Sequence, residues 1–191
     1  MSAPFTSRPQ PHGLNRRRVI SNSLLAMAGV AVQAHAAPAG QDGEISSTEE
    51  AIHQERVFAA DRKRMYAALT VESQFDRIVQ LSGVMQADAK DGMQHPTRLS
   101  THAGGSFSLF AGYIAGRQLE LVPDRRIVQA WRAVSWPEGA YSIARFELSD
   151  QGGSTRLAFE HTGFPKGEAL HLVAGWQEHY WGPLTKLLAQ A

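Results

Sequence analysis

The sequence predicts an α+β domain in which one antiparallel sheet wraps around a long C-terminal helix. Three observations carry that reading. Between residues 97 and 163, runs of alternating apolar and polar residues follow one another, punctuated by glycine and Pro-Asp turns, which is the pattern of an antiparallel meander. Residues 168–188 carry Val173, Trp176, Tyr180, Leu184 and Leu187 at helical spacing, a stripe that needs a large apolar partner. An antiparallel sheet in turn needs cover on one face, and no other segment is large enough to supply it.

The elements follow in order. Residues 48–60 read as a strand, with Ile52, Val57 and Phe58 as its apolar members. Asp61 suits the N-cap of a short helix reaching Leu69, with Met65, Ala68 and Leu69 on one face. Thr70 is expected to cap a second helix, with Glu72 in its first turn, Phe75, Ile78, Val79 and Ser82 along it, and Gly83 closing it. Asp88, Lys90, Asp91 and Gly92 mark 84–96 as a solvated loop. Strands are then expected over 97–102, 106–114, 117–122, 125–134, 141–148 and 155–163, about seven in all.

Alternation assigns the strand faces. Phe107, Leu109 and Tyr113 share one; Leu119 pairs with Leu121, and Ile127 with Trp131. Ser142, Ala144, Phe146 and Leu148 share another, as do Leu157, Phe159 and His161. Gly116 is expected to make a turn. In the last helix, Leu170, Trp181 and Leu188 widen the stripe, and Pro183 removes a helical hydrogen bond, which predicts a kink.

The N-terminus reads as a targeting segment. Asn15-Arg16-Arg17-Arg18-Val19-Ile20 precedes a mildly apolar stretch, Leu24 to Val32, which ends at Ala34-His35-Ala36. A basic region, a short apolar core and an Ala-x-Ala site make a secretory signal, and Arg16-Arg17 resembles the twin-arginine type. The expected organisation is a signal over 1–36, a mobile linker over 37–47 and the domain over 48–191. Export would leave the protein periplasmic or secreted, with no stable membrane anchor after cleavage.

Composition narrows the function. The chain has 191 residues, 43% of them hydrophobic and 19% charged, enough for one globular domain. There is no cysteine, which excludes disulfides, thiolate metal sites and cysteine nucleophiles. The net charge is +1. Cleavage after Ala36 would remove four of the nineteen basic residues and no acidic one, leaving fifteen basic against eighteen acidic. That balance gives no electrostatic case for nucleic acid. The histidines lack metal-ligand spacing, and no cofactor motif is present.

One resemblance is specific in order and spacing. Gly104-Gly105-Ser106-Phe107, the run Leu121-Val122-Pro123-Asp124-Arg125-Arg126-Ile127-Val128, Trp131-Arg132 and Ser135-Trp136-Pro137 come first. Ser154-Thr155-Arg156-Leu157, His161-Thr162-Gly163-Phe164-Pro165, Gly175-Trp176, Tyr180-Trp181 and Pro183-Leu184 follow. Together they resemble the homologues of the activator of the heat-shock-protein-90 ATPase, within the START-like (SRPBCC) superfamily. The resemblance implies a helix-grip fold with a cavity between the sheet and the C-terminal helix. The chain departs from it in having no Trp near the start of the second helix.

The resemblance also implies the candidate site. Alternation and helical face put Phe107, Leu109, Tyr113, Trp131, Phe146, Phe159, His161, Leu172, Trp176 and Tyr180 near that cavity. The competing reading is that these residues are packed core, the usual fate of an aromatic stripe. Polar tips on His161, Tyr180, Trp131 and Tyr113 need partners if buried. Arg132 is expected to pair with Glu147 or Glu160. Binding a small apolar or amphipathic ligand is the leading expectation. A chaperone-type protein partner is the second, and a polyketide cyclase- or dehydratase-like enzyme is the third. For the last, His161 is the one acid/base candidate; Glu160 alternates to the opposite face. No catalytic constellation is otherwise present, so binding is expected over catalysis.

Overall fold

The computed structural model describes residues 45–47, 51–83 and 96–190. The expected signal with Arg16, Arg17, Ala34 and Ala36, most of the linker, and the 84–95 loop lie outside them. Eight antiparallel strands form one sheet: β1 (Ile45–Ser47), β2 (Ala51–Phe58), β3 (Arg98–Leu99), β4 (Ser106–Leu109), β5 (Ile114–Val122), β6 (Arg126–Ala133), β7 (Ser142–Gln151) and β8 (Ser154–Thr162). Their order across the sheet is β1-β2-β8-β7-β6-β5-β4-β3. From β3 to β8, each strand pairs with the next. The early strand β2 then lies beside the last strand β8, with Ile52 opposite His161 and Phe58 opposite Thr155.

Among the described residues, two helices lie between β2 and β3: α1 (Arg62–Thr70) and α2 (Glu72–Ser82). Asp61 caps α1, its carboxylate accepting from the Arg64 backbone N–H at 2.7 Å. Thr70 does not cap α2. It ends α1, and its hydroxyl donates back to the Tyr66 carbonyl at 2.8 Å, the local bond that competes with capping. Val71 occupies the cap position without a side-chain bond. Gly83 closes α2 with φ 74°.

The C-terminal helix covers residues 169–189 in three parts: α3 (Ala169–Gly175), a π-helical stretch (Trp176–Trp181) and α4 (Gly182–Ala189). The expected kink at Pro183 is replaced by this wider stretch. The Gly182 N–H bonds the Gln177 carbonyl, five residues back. The proline, which has no N–H to give, sits in the first turn of α4. Trp176, Tyr180, Trp181, Leu184, Leu187 and Leu188 are buried, whereas Leu170 is 79% exposed and does not widen the stripe.

The sheet departs from expectation at three places. Ile45–Ser47, assigned to the linker, adds an edge strand to β2. β3 is only two residues long. The chain turns at Phe110–Gly112 rather than at Gly116. Gly116 lies inside β5, where a Cβ would come within 2.0 Å of the Ala130 carbonyl and 2.5 Å of Phe107 Cζ. It is a glycine for close approach, not for a turn. The displaced turn carries Tyr113 off the face of Phe107 and Leu109, leaving it 43% exposed. A register shift between Gln118 and Glu120 likewise leaves Leu119 exposed.

Elsewhere the alternation holds. Ile127, Gln129, Trp131 and Ala133 of β6, alternate residues of β7 from Ser142 to Leu148, and Thr155, Leu157, Phe159 and His161 of β8 are all buried. The opposite face is laced by ion pairs such as Arg126–Glu120 and Arg145–Glu147. A buried side chain such as Phe159 contributes about 1.5–3 kcal/mol by leaving water.

Candidate functional site

A cavity of about 380 Å³ opens between the C-terminal helix and one end of the sheet. β6 supplies Trp131 and Ala133, the turn after it Trp136, β5 its first residue Ile114, and the turn after β4 Phe110. The helix supplies His171, Leu172, Ala174, Gly175, Trp176, Glu178, His179 and Tyr180, with Tyr113 at the edge.

The wall is a continuous aromatic cluster. Trp131 lies 5.3 Å from Trp136 and 5.7 Å from Trp176, ring centre to ring centre. Trp176 lies 4.2 Å from Tyr180, and Tyr180 lies 5.2 Å from Phe110. Arg132 holds the turn that presents Trp136: it donates to the Trp136 carbonyl at 3.0 Å and to that of Pro137 at 3.4 Å. Its guanidinium also lies 5.7 Å from the centre of the Tyr141 ring. The expected pairing with Glu147 or Glu160 is therefore not made. Glu147 bonds Arg145 and pairs with Arg126, and Glu160 lies 3.9 Å from His53 Nδ1.

Two features of the helix keep this end open. Gly175 sits in regular helical backbone, where alanine would be better by about 1 kcal/mol. A Cβ there would meet nothing within 4 Å. The π-helical stretch begins at the next residue and carries Trp176, Glu178, His179 and Tyr180 to the cavity wall; such stretches are frequent at functional sites.

Of the ten residues expected near a cavity, Tyr113, Trp131, Leu172, Trp176 and Tyr180 line this one. Phe107, Leu109, Phe146, Phe159 and His161 do not. All five are packed core, at most 3% exposed. Phe110, Ile114, Ala133, Trp136, His171, Ala174, Gly175, Glu178 and His179 were not anticipated. Trp136 and Phe110 come from turns, where alternation assigns no face. Small residues such as Gly175 and Ala133 give no apolar signal, although their smallness helps to make the space.

His161 sits behind the wall and is fully engaged. The Trp176 indole N–H donates to its Nδ1 at 3.0 Å. An indole nitrogen can only donate, so the imidazole proton is on Nε2. That proton goes to Ser142 Oγ at 2.6 Å, and the Ser142 hydroxyl donates to the Trp131 carbonyl at 3.0 Å. Burial pushes the His161 pKa down to about 3, so the ring is neutral near pH 7. It is a structural link between helix and sheet, not a poised acid or base.

Other polar groups on the wall are unpaired. Trp131 Nε1, Trp136 Nε1, Tyr180 Oη and His179 Nδ1 are buried without a hydrogen-bond partner. Burial raises the Tyr180 pKa. The Trp131 indole bears on the phenol in the opposite direction, but the two stay outside hydrogen-bond geometry. Among the described residues, no group of three or more His, Asp or Glu is placed to hold a metal ion.

The profile of the family described as Activator of Hsp90 ATPase homolog 1-like protein matches residues 59–189. The chain belongs to this family. It is 36% identical to the human activator of 90 kDa heat shock protein ATPase homolog 1 over 86 residues, 45% of this chain and 25% of the relative. It is 25% identical to the mouse homolog 2 over 138 residues, 72% of this chain and 38% of the relative. The chain thus spans well under half the length of these relatives. Among solved structures, an HSP90 activator from Plasmodium falciparum superposes with a TM-score of 0.60 at 22% identity, covering 73% of this chain and 96% of that one. A protein from Chromobacterium violaceum does so with a TM-score of 0.58 at 20% identity, covering 75% and 100%. These likenesses establish the START-like helix-grip fold.

Proposed function

We propose that this protein is an exported START-like domain that binds a small apolar or amphipathic molecule in the cavity between sheet and C-terminal helix. The observation that carries the reading is the aromatic cavity itself. Its volume of about 380 Å³ falls within the ~300–1,000 Å³ range of small-molecule sites. Gly175 is part of its lining, and a Cβ added there would meet nothing within 4 Å. Export is supported by the Arg16-Arg17 pair and the Ala34-His35-Ala36 site.

Native mass spectrometry of the full chain, expressed with its leader and recovered from the exported fraction, tests the binding. A co-purifying small molecule is expected, and Gly175→Phe should lose it while keeping the melting temperature. Retention of the molecule by Gly175→Phe would place it elsewhere and contradict the cavity. Replacing Arg16 and Arg17 by Lys should strand the protein in the cytoplasm; unchanged export would contradict the twin-arginine route.

Family membership favours a second reading, a chaperone-type protein partner, because the relatives are named for activating a chaperone ATPase. An exported protein would not meet a cytosolic chaperone. Pulldowns from exported and cytosolic fractions separate the two readings: stable capture of an ATPase chaperone, with no small molecule retained, favours the second. The enzyme reading loses its acid/base candidate, since both His161 nitrogens are engaged within the protein.

A further inference from the structure

The cavity sets a wall of ring carbon beside a single carboxylate. Trp131, Trp136, Trp176 and Tyr180 line it, and each is at most 5% exposed. Trp176 turns its indole nitrogen to His161, behind the wall. The polar atoms of Trp131, Trp136 and Tyr180 are shut away as well. These four residues therefore offer the space carbon, with neither a donor nor an acceptor. The exposed members of the lining, Tyr113, His171, Ala174 and Glu178, mark its mouth. Among the described residues, Glu178 is the only carboxylate of the lining and makes no ion pair. No described lysine or arginine lines the space. Arg132, next to Trp131 in the chain, is engaged by the Trp136 and Pro137 carbonyls and the Tyr141 ring.

Two attractions then share one sign. The π-systems of Trp and Tyr attract a cation, and Glu178 adds fixed negative charge at the mouth. An anion entering the space would lose its hydration with no cation in return. Hydrogen bonding narrows the class further. An ammonium that carries N–H groups would leave them unmade against ring carbon, which is costly. A quaternary ammonium has none to leave.

We propose, resting on the binding reading above, that the cavity takes a small quaternary ammonium compound with an apolar group, its charge held between the aromatic wall and the Glu178 carboxylate. His171 and His179 also stand in the lining and would oppose such a cation only when protonated, so its binding is measured at pH 8.

Three probes of nearly one shape test this on the full chain: benzyltrimethylammonium, its uncharged isostere neopentylbenzene, and the anion benzylsulfonate. Titration calorimetry reads each affinity. Two changes alter charge while keeping shape: Glu178→Gln, and biosynthetic replacement of tryptophan by 5-fluorotryptophan, which draws negative charge from the ring faces. The melting temperature reports whether each protein folds, and Glu178→Gln, at an exposed position, carries the test by itself if the fluorinated chain does not. Each change should weaken the cation about 2–5-fold, the size of one carboxylate or cation–π contact near the surface. Neopentylbenzene should change by less than about 1.5-fold, and benzylsulfonate should bind at least about tenfold more weakly than the cation. If the cation and the hydrocarbon bind but respond alike to either change in a folded protein, the cation preference is overturned and the cavity reading stands. Binding of neopentylbenzene without the cation, or of benzylsulfonate as tightly as the cation, has the same consequence. If none of the three binds, the preference and the cavity reading fall together.

Discussion

At its C-terminal end the long helix presses Trp181, Leu184, Leu187 and Leu188 into a filled interior. Trp181 lies 5.1 Å from Phe159 and 6.5 Å from Phe58, and α2 packs across α4 from outside the sheet. At the other end, Trp176 and Tyr180 of the same helix face a cavity bounded by Trp131, Trp136 and Phe110. Both ends are aromatic, and both face the same side of the same sheet. They differ in what closes them. Two whole helices cover the first end, whereas the second has two turns, and glycine or alanine at 133, 174 and 175 where larger residues would fill the space. Polar satisfaction does not follow this division: Trp181 bonds Gln54 Oε1 in the filled end, yet Gln54 Nε2 is unpaired there, as Trp131 Nε1 and Trp136 Nε1 are at the other. An aromatic stripe therefore becomes core or cavity according to the volume of its neighbours.

Matched truncations should expose this difference most strongly. Leu184→Ala, in the filled end, is expected to cost about 4 kcal/mol, and Leu172→Ala, already bordering the cavity, about 2 kcal/mol, because the cost grows with the void created. Urea denaturation measures both, and equal losses would erase the distinction between the ends.

Acid should act at the seam between them. The His161 pKa is about 3 in the folded protein, against an ordinary value near 6.5. Between those values the unfolded chain binds a proton that the folded chain does not. Stability should therefore fall as pH drops from about 6.5 towards 3, by up to roughly 1.4 kcal/mol per pH unit. His161→Gln should flatten that slope in urea denaturation at pH 7 and pH 4.5. An unchanged slope would mean that other groups carry the acid response.

Gly175→Ala should raise stability by about 0.5–1 kcal/mol, since its Cβ enters open space in regular helix. A loss on thermal denaturation would show that the space beside Gly175 is filled. The smallest effect is expected on the outer face of the sheet. Arg145→Ala, which breaks an exposed pair with Glu147, should change stability by less than about 0.5 kcal/mol and be salt-dependent.

Much of the fold is legible in the sequence because burial on one face of a strand or helix leaves a period. The faces of β6, β7 and β8 and the stripe from Trp176 to Leu187 follow it. What the period does not encode is position along a face. Phe146 and Phe159 lie on the expected face but beneath the filled part of it, and His161 lies behind the cavity wall. Trp136 and Phe110 reach the cavity from turns with no period at all. Gly116 shows a different ambiguity: a glycine between two apolar runs reads equally as a turn or as a close approach, and only the partner strand decides. Pro183 forecasts a break, but a wider helical turn ahead of it absorbs the missing donor.

The four tryptophans offer the most direct measurement. Each indole N–H gives one signal in a nitrogen–proton correlation spectrum, and the chain has only Trp131, Trp136, Trp176 and Trp181. On titration with an apolar aromatic probe such as fluorenone, the signals of Trp131 and Trp136, which line the cavity, are expected to move furthest, and Trp181, bonded to Gln54 in the filled end, to stay in place. Saturable shifts confined to the open end would establish that this half of the helix–sheet interface is a binding site. Four unmoved signals, or a Trp181 shift as large as those of Trp131 and Trp136, would contradict it.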